Sequence, residues 1–241
     1  MRYAVLSDIH GNLEALQAVI QACRQQRVEA FLCVGDTVGY GANPQECLEI
    51  LRGLKAISVA GNHDWAVSGK LDFSYFTEDG QAAVLWTRNK IAFEQFNYLN
   101  SLELVYKNED VILAHGSLDQ PAQFNYLEDL PQAQEAFPLM DRGICFVGHT
   151  HVPRIFIQRG EKSYFTQILE MELSADDKYI VNVGSVGQPR DGNSLASYGI
   201  YDTGMAMIDI KRVPYDIPTA QRKILEAGLP EHLAERLALG R

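Results

Sequence analysis

The chain has no CxxC pair, no apolar run approaching membrane-spanning length, and fewer basic than acidic residues. Its four cysteines (Cys23, Cys33, Cys47 and Cys145) are scattered, and three lie in apolar segments. This excludes a thiolate metal site and a disulfide framework, and predicts free buried thiols in a reducing cytoplasm. A bilayer-spanning helix needs about 20 apolar residues, and none is available, so no membrane partner is expected. Met1-Arg2 leads directly into an apolar segment with no separate leader-like region, so no signal peptide is expected. Against 31 acidic residues stand 21 basic ones, a net charge of −10. Such a surface repels a polyanion and argues against extended nucleic acid as a partner. Bound dications would offset this charge locally, so a phosphate-bearing small molecule stays compatible with it. No repeat, low-complexity tract or linker-like shift in composition interrupts the 241 residues, and one domain spanning residues 1–241 is expected.

Within these bounds the first part of the chain alternates strand and helix. Tyr3–Leu6 reads as a buried strand, and Leu13–Gln25 carries apolar residues at helical spacing with Asn12 placed to cap it. Ala30–Val34 is a second strand. Pro44 opens a helix that runs to about Gly53, and Ala56–Val59 is a third strand. This order implies a parallel sheet. Helical patterns follow over Glu78–Leu99. Short strands are then expected at Leu102–Tyr106, Asp110–Ala114, Ile144–Val147, Arg154–Gln158, Ser163–Leu169, Tyr179–Val183, Ser197–Tyr201 and Met205–Ile210, before a helical tail over Thr219–Leu239. The sum is an α/β fold of two sheets with helices outside, a four-layer arrangement.

The informative pattern is what stands at the strand ends. The first strand stops at Asp8-Ile9-His10, the second at Gly35-Asp36, and the third at Gly61-Asn62-His63-Asp64. Two later ones stop at His115-Gly116 and Gly148-His149-Thr150-His151. Taken singly, each block reads equally well as a turn. Turn chemistry selects Gly, Asn, Asp and Ser and has no reason to select histidine, yet five of the six histidines stand here and only His232 lies elsewhere. Imidazole and carboxylate donors without thiolates suit divalent transition metals: Mn, Fe, Zn, Co or Ni. Seven candidate ligands are too many for one tetrahedral ion and suit two ions sharing a carboxylate, an arrangement apt for phosphoester hydrolysis.

These five blocks, in this order, resemble the signature of the calcineurin-like metallophosphoesterase superfamily, from residue 3 to about residue 190. The resemblance implies that Asp8, His10 and His151 hold one metal ion, that Asn62, His115 and His149 hold a second, and that Asp36 bridges the two. It casts His63 as the catalytic residue beside the scissile bond, with a metal-bridging hydroxide as the nucleophile. It also implies a four-layer αββα sandwich of two mixed β-sheets flanked by helices. The serine/threonine protein phosphatase branch carries Asp-Arg shortly after the bridging aspartate, where this chain has Gly39-Tyr40, and usually Glu where it has Asp64. The chain is more similar to the compact prokaryotic phosphodiesterase-like members.

Three features leave alternatives open. The loop Val183–Arg190 reads as a chain reversal, or as the carrier of Arg190 to a substrate phosphate in place of the arginine absent at position 40. Tyr40, Asn62 and, more weakly, Asn12 are further substrate contacts, Asn12 reading first as a helix cap. Trp65, Phe73, Tyr75 and Phe76 read as core, or as rings lining a cleft beside the catalytic loop that stack on a nucleobase. The expected substrate is a small phosphodiester or phosphomonoester, with nucleotide-like compounds, dinucleoside polyphosphates and phosphoproteins as alternatives. A metal-binding scaffold without catalysis is the reading from another class. An oligomer stays open.

Overall fold

The computed structural model describes residues 1–241. In chain order the elements are β1 (Arg2–Leu6), α1 (Leu13–Gln25), β2 (Ala30–Cys33), α2 (Pro44–Gly53), β3 (Ile57–Ser58), α3 (Asn62–Ser68), α4 (Glu78–Lys90) and α5 (Phe93–Ser101). There follow β4 (Val105–Lys107), β5 (Ile112–Ala114), α6 (Leu130–Ala136), β6 (Ile144–Val147), β7 (Arg154–Arg159), β8 (Lys162–Thr166) and β9 (Glu170–Glu172). The chain ends with β10 (Lys178–Asn182), β11 (Ala196–Asp202), β12 (Met207–Val213), α7 (Ile217–Glu226) and α8 (Glu231–Leu239).

The strands form two six-stranded sheets, ordered β3-β2-β1-β11-β12-β9 and β4-β5-β6-β10-β7-β8. Both are mixed: β1, β2 and β3 run parallel, as do β5, β6 and β10, while β11 pairs antiparallel with β1 and β7 antiparallel with β10. Because side chains alternate across a strand, β1 serves two layers. Tyr3 and Val5 point into the seam between the sheets with Val111, Leu113, Phe146 and Val181. Ala4 and Leu6 point outward to Leu16, Val19 and Cys23 of α1 and to Cys47 and Leu51 of α2. On the other outer face, Ala133 and Ala136 of α6 cover Ile112, Cys145, Phe156 and Ile180. The result is the expected four-layer α/β sandwich. Burial on both faces is why these strands read as continuous apolar runs. All four cysteines are free and buried in these layers.

Asn12 caps α1, accepting the Ala15 N–H at 3.1 Å through Oδ1. Its amide also donates to the Gly187 carbonyl at 2.8 Å, which accounts for the side chain without a substrate. Two local readings are corrected and one helix is added. The expected strand Ser163–Leu169 ends at Thr166, and Glu170–Glu172 crosses to the other sheet against β12. Residues Asn62–Ser68 form a helix rather than a turn and loop. A short helix over Leu130–Ala136, capped by Asp129, had no periodic signal long enough to reveal it.

Candidate metal centre

The parallel strands β1, β2 and β3 and the parallel pair β5 and β6 all deliver their C-terminal ends to one rim of the sandwich. Ligand sites in α/β sheets lie at that edge. The chain then bends sharply, and the backbone shows how. Asp8, His10, Asp36, His149 and His151 all adopt left-handed conformations, with φ of 53°, 49°, 51°, 70° and 60°. This region is disfavoured for residues with a Cβ, costing about 1–3 kcal/mol at each position. Five such positions on one rim mark a site held in shape by its surroundings.

The imidazoles are aimed by backbone carbonyls. His10 Nδ1 donates to Val38 O at 3.1 Å, His115 Nδ1 to Val34 O at 2.7 Å and His151 Nδ1 to Gln188 O at 2.6 Å. A carbonyl only accepts, so Nδ1 carries the proton in each ring, and Nε2 turns to the centre. Burial holds His10 and His151 well below the usual histidine pKa, so both rings are neutral. Their Nε2 atoms nevertheless lie 3.1 Å apart, and two unprotonated nitrogens cannot hydrogen-bond to each other.

Around these nitrogens stand two carboxylates. Asp8 Oδ1 lies 3.3 Å from His151 Nε2, and Asp36 Oδ2 lies 3.6 Å from His10 Nε2 and 3.3 Å from His115 Nε2. One oxygen of Asp36 thus faces histidines from two groups. Donor atoms of Asp8, His10 and His151 all lie within 4.8 Å of one another, as do those of Asp36, His115 and His149, and those of His10, Asp36 and His63. The buried Asn62 Oδ1 and His115 Nε2 find no hydrogen-bond partner. An orphaned Asn62 oxygen and converging imidazoles are what a divalent cation satisfies, and the donor set fits a transition metal.

The electrostatics agree. Burial pushes Asp8 up to about 6 against the pull of His115. Burial would raise Asp36 too, but His115, His63 and His10 hold it well below the usual carboxylate range. Burial would lower His115, yet Asp36 and Asp8 outweigh it and raise the ring to about 9. In the metal-free protein the site therefore stores a proton where a cation belongs.

His63 lies on the first turn of α3. Its N–H donates to Asp36 Oδ1 at 2.8 Å, and its ring contacts Tyr40 and Phe76 with centroids at 4.4 and 5.0 Å. Burial lowers it to about 4, and its Nδ1 has no partner. A Cβ at Gly39, where φ is +89°, would sit 2.5 Å from that Nδ1. Asp64 accepts N–H groups of Thr37, Val38 and Gly61 at 3.0, 3.3 and 3.0 Å. It ties the Asp36 turn to the start of α3, a structural role.

The late loop does what a chain reversal would not require. Val186 and Gly187 donate to the Ser7 and Asp8 carbonyls at 2.9 and 3.0 Å, and Gln188 O orients His151. Arg190 donates to Gln188 Oε1 at 2.7 Å and holds its guanidinium 5.8 Å from the centre of the Tyr40 ring. Tyr40 lies between Arg190 and the rings of His10 and His63.

Sequence reasoning missed the three orienting carbonyls, which no side-chain pattern encodes, and two rings. Phe124 and Tyr126 come from the connection after β5, with Tyr126 stacked on His149 at 4.0 Å and an interplanar angle of 13°. Of the four aromatics singled out, Tyr75 and Phe76 line a cleft beside His63, whereas Trp65 and Phe73 pack with Val38, Leu48 and Leu99.

Two back-to-back mixed sheets with a buried Asp/His cluster on their shared rim define a metallophosphoesterase. The chain belongs to the calcineurin-like phosphoesterase superfamily, whose domain pattern matches residues 1–205; it is a phosphoric ester hydrolase. It is 44% identical to an uncharacterised protein of Methanocaldococcus jannaschii over 99% of this chain and 98% of that one. It is 27% identical to the phosphodiesterase YfcE of Escherichia coli strain K12, over 86% of this chain and 91% of that one. A metallophosphoesterase structure from Sphaerobacter thermophilus superposes with a TM-score of 0.88 at 39% identity, covering 100% of this chain and 99% of the other.

Proposed function

We propose that the protein is a dinuclear metal-dependent phosphoesterase acting on a small phosphodiester or phosphomonoester. Asp8, His10 and His151 would hold one ion and Asn62, His115 and His149 the other, with Asp36 as the carboxylate available to both. The observation that carries this reading is the position of Asp36 Oδ2, within 3.6 Å of His10 Nε2 and 3.3 Å of His115 Nε2. When bound, two such ions supply a Lewis-acid clamp on phosphoryl oxygens and lower the pKa of water. The ligand types accept Mn, Fe, Zn, Co or Ni.

The chain's own residues do the rest. His63 stands beside the scissile bond and hydrogen-bonds the departing oxygen. Arg190, Tyr40 and the Asn62 amide would contact and position the phosphate. The phosphodiesterase name of the E. coli relative favours diesters. The 241 residues act as one cytoplasmic domain, and the substrate is nucleotide-like.

The test strips the purified chain with a chelator and reloads it with each ion in turn. Activity is then assayed on bis-p-nitrophenyl phosphate and p-nitrophenyl phosphate, with bound metal counted by plasma mass spectrometry. Expected are loss on stripping, recovery with Mn or a similar ion, and about two ions per chain. Chelator-resistant hydrolysis, or binding of a single ion, would overturn the reading.

A further inference from the structure

A cleft of about 390 Å³ opens from the metal centre on the side of His63, Asn62 and His149. Beside Tyr40, its walls come from two further connections: Tyr75, Phe76 and Thr77 before α4, and Gln123, Phe124, Asn125 and Tyr126 after β5. No lysine, arginine or carboxylate lines it. Its rings continue directly into the histidines of the centre, Phe76 against His63 and Tyr126 against the candidate ligand His149. Tyr75 and Tyr126 are 65% and 45% exposed. Neither ring is therefore consumed by the core, and both are free to cover a ligand. The amides of Gln123 and Asn125 stand exposed on the same connection as Tyr126.

An uncharged cleft with aromatic walls and amide groups at its rim suits a planar heteroaromatic ring with donors and acceptors on its edge. A sugar can lay a C–H face on one ring and an alkyl chain can pack there, but a planar base alone offers both a full π face for the walls and edge donors and acceptors for the amides. The cleft also lies on the His63 side, where the departing oxygen is placed. We infer that this cleft binds a nucleobase carried by the leaving group, so that the substrate class is a nucleoside phosphoester. The inference rests on the proposed hydrolysis for the position of the phosphate. Its own support is the chemistry of the cleft walls.

The experiment has two arms. Saturation-transfer NMR on the metal-loaded chain uses adenosine and ribose as probes. Transfer to the adenine protons without transfer to ribose is expected, and it is expected to weaken in Tyr75→Ala. Steady-state kinetics then compares adenosine 5′-phosphate with ribose 5-phosphate, and their methyl diesters, which share the scissile chemistry and differ only in the base. The base should raise kcat/KM by about tenfold or more, the scale of one base–aromatic stack, and Tyr75→Ala should reduce that ratio toward one. Equal transfer to adenosine and ribose, or a ratio near one that Tyr75→Ala leaves alone, overturns the inference while the phosphoesterase reading stands. If no phosphoester turns over with any metal, that reading falls, and adenosine transfer with its loss in Tyr75→Ala decides the cleft by itself.

Discussion

The Nε2 atoms of His10 and His151 face each other at 3.1 Å, with each ring's Nδ1 proton already given to a backbone carbonyl. Two neutral imidazoles in this arrangement repel through their lone pairs, and a cation between them turns that repulsion into coordination. The metal-free protein should therefore be measurably less stable than the loaded one. A ligand at 100 times its Kd adds about 2.7 kcal/mol, which for a chain of this size is a rise in Tm of about 5–10 °C. Differential scanning fluorimetry of stripped protein titrated with Mn checks this, and an unchanged Tm would count against the site. His151→Ala should abolish most of the increment, since it removes one member of the facing pair.

Asp36 has two duties that one substitution separates. Its Oδ2 faces two histidine nitrogens, while its Oδ1 accepts the His63 N–H at 2.8 Å. Asp36→Asn keeps the shape and an oxygen for that N–H but loses the negative charge the ions need. The expected outcome is a fold intact by circular dichroism, a bound-metal count reduced by one or more ions, and kcat down by at least about 100-fold. Two ions bound with normal affinity would remove Asp36 from the bridge.

Much of this centre was legible because its chemistry resides in side chains of unusual type at regular places. Five strand ends loaded with Asp, Asn and His needed only the strands to be found, and apolar runs such as Tyr3–Leu6 made that simple. What stayed hidden was carried by the backbone or by distance along the chain. The carbonyls of Val34, Val38 and Gln188 orient three imidazoles, and every residue has a carbonyl. Phe124 and Tyr126 reach the cleft from a connection with neither helical nor strand periodicity. The helix Asn62–Ser68 is only seven residues long, two turns, too short for a period to declare itself. The arginine absent at position 40 points to Arg190, whose guanidinium lies 5.8 Å from the centre of the Tyr40 ring.

His63 and Gly39 form a second testable pair. His63→Ala should leave the metal count unchanged and lower kcat by about 10²–10⁴, the range for a residue assisting proton transfer. The loss should shrink on p-nitrophenyl esters, whose leaving group needs little assistance. Gly39→Ala adds a Cβ against His63 Nδ1 at a φ that L-residues avoid. It should therefore displace the ring and reproduce part of the His63→Ala defect, again with metal retained. A Gly39→Ala enzyme with wild-type kcat would show that the ring's position is not set there.

Burial holds His10, His149 and His151 well below their usual pKa and His63 at about 4. Below about pH 6.5 the unfolded chain takes up protons on these four rings that the folded chain refuses. Their contribution to stability is full above that pH and is lost as the pH falls. Three groups act the other way. Asp8, raised to about 6, Asp64, raised by burial to about 7, and His115, raised to about 9, all bind protons more readily when folded, so their contributions are full at low pH and lost as it rises through those values. Four rings outweigh three groups between pH 7 and pH 5, where His115 is protonated in both states at the lower end, and each net proton is worth about 1.4 kcal/mol per pH unit. The Tm of chelator-treated protein should accordingly fall between pH 7 and pH 5. Because protons compete with metal for the same nitrogens, the metal-induced rise in Tm should shrink over the same interval. A metal-free Tm that climbs on acidification would mean that these rings are not buried as neutral groups.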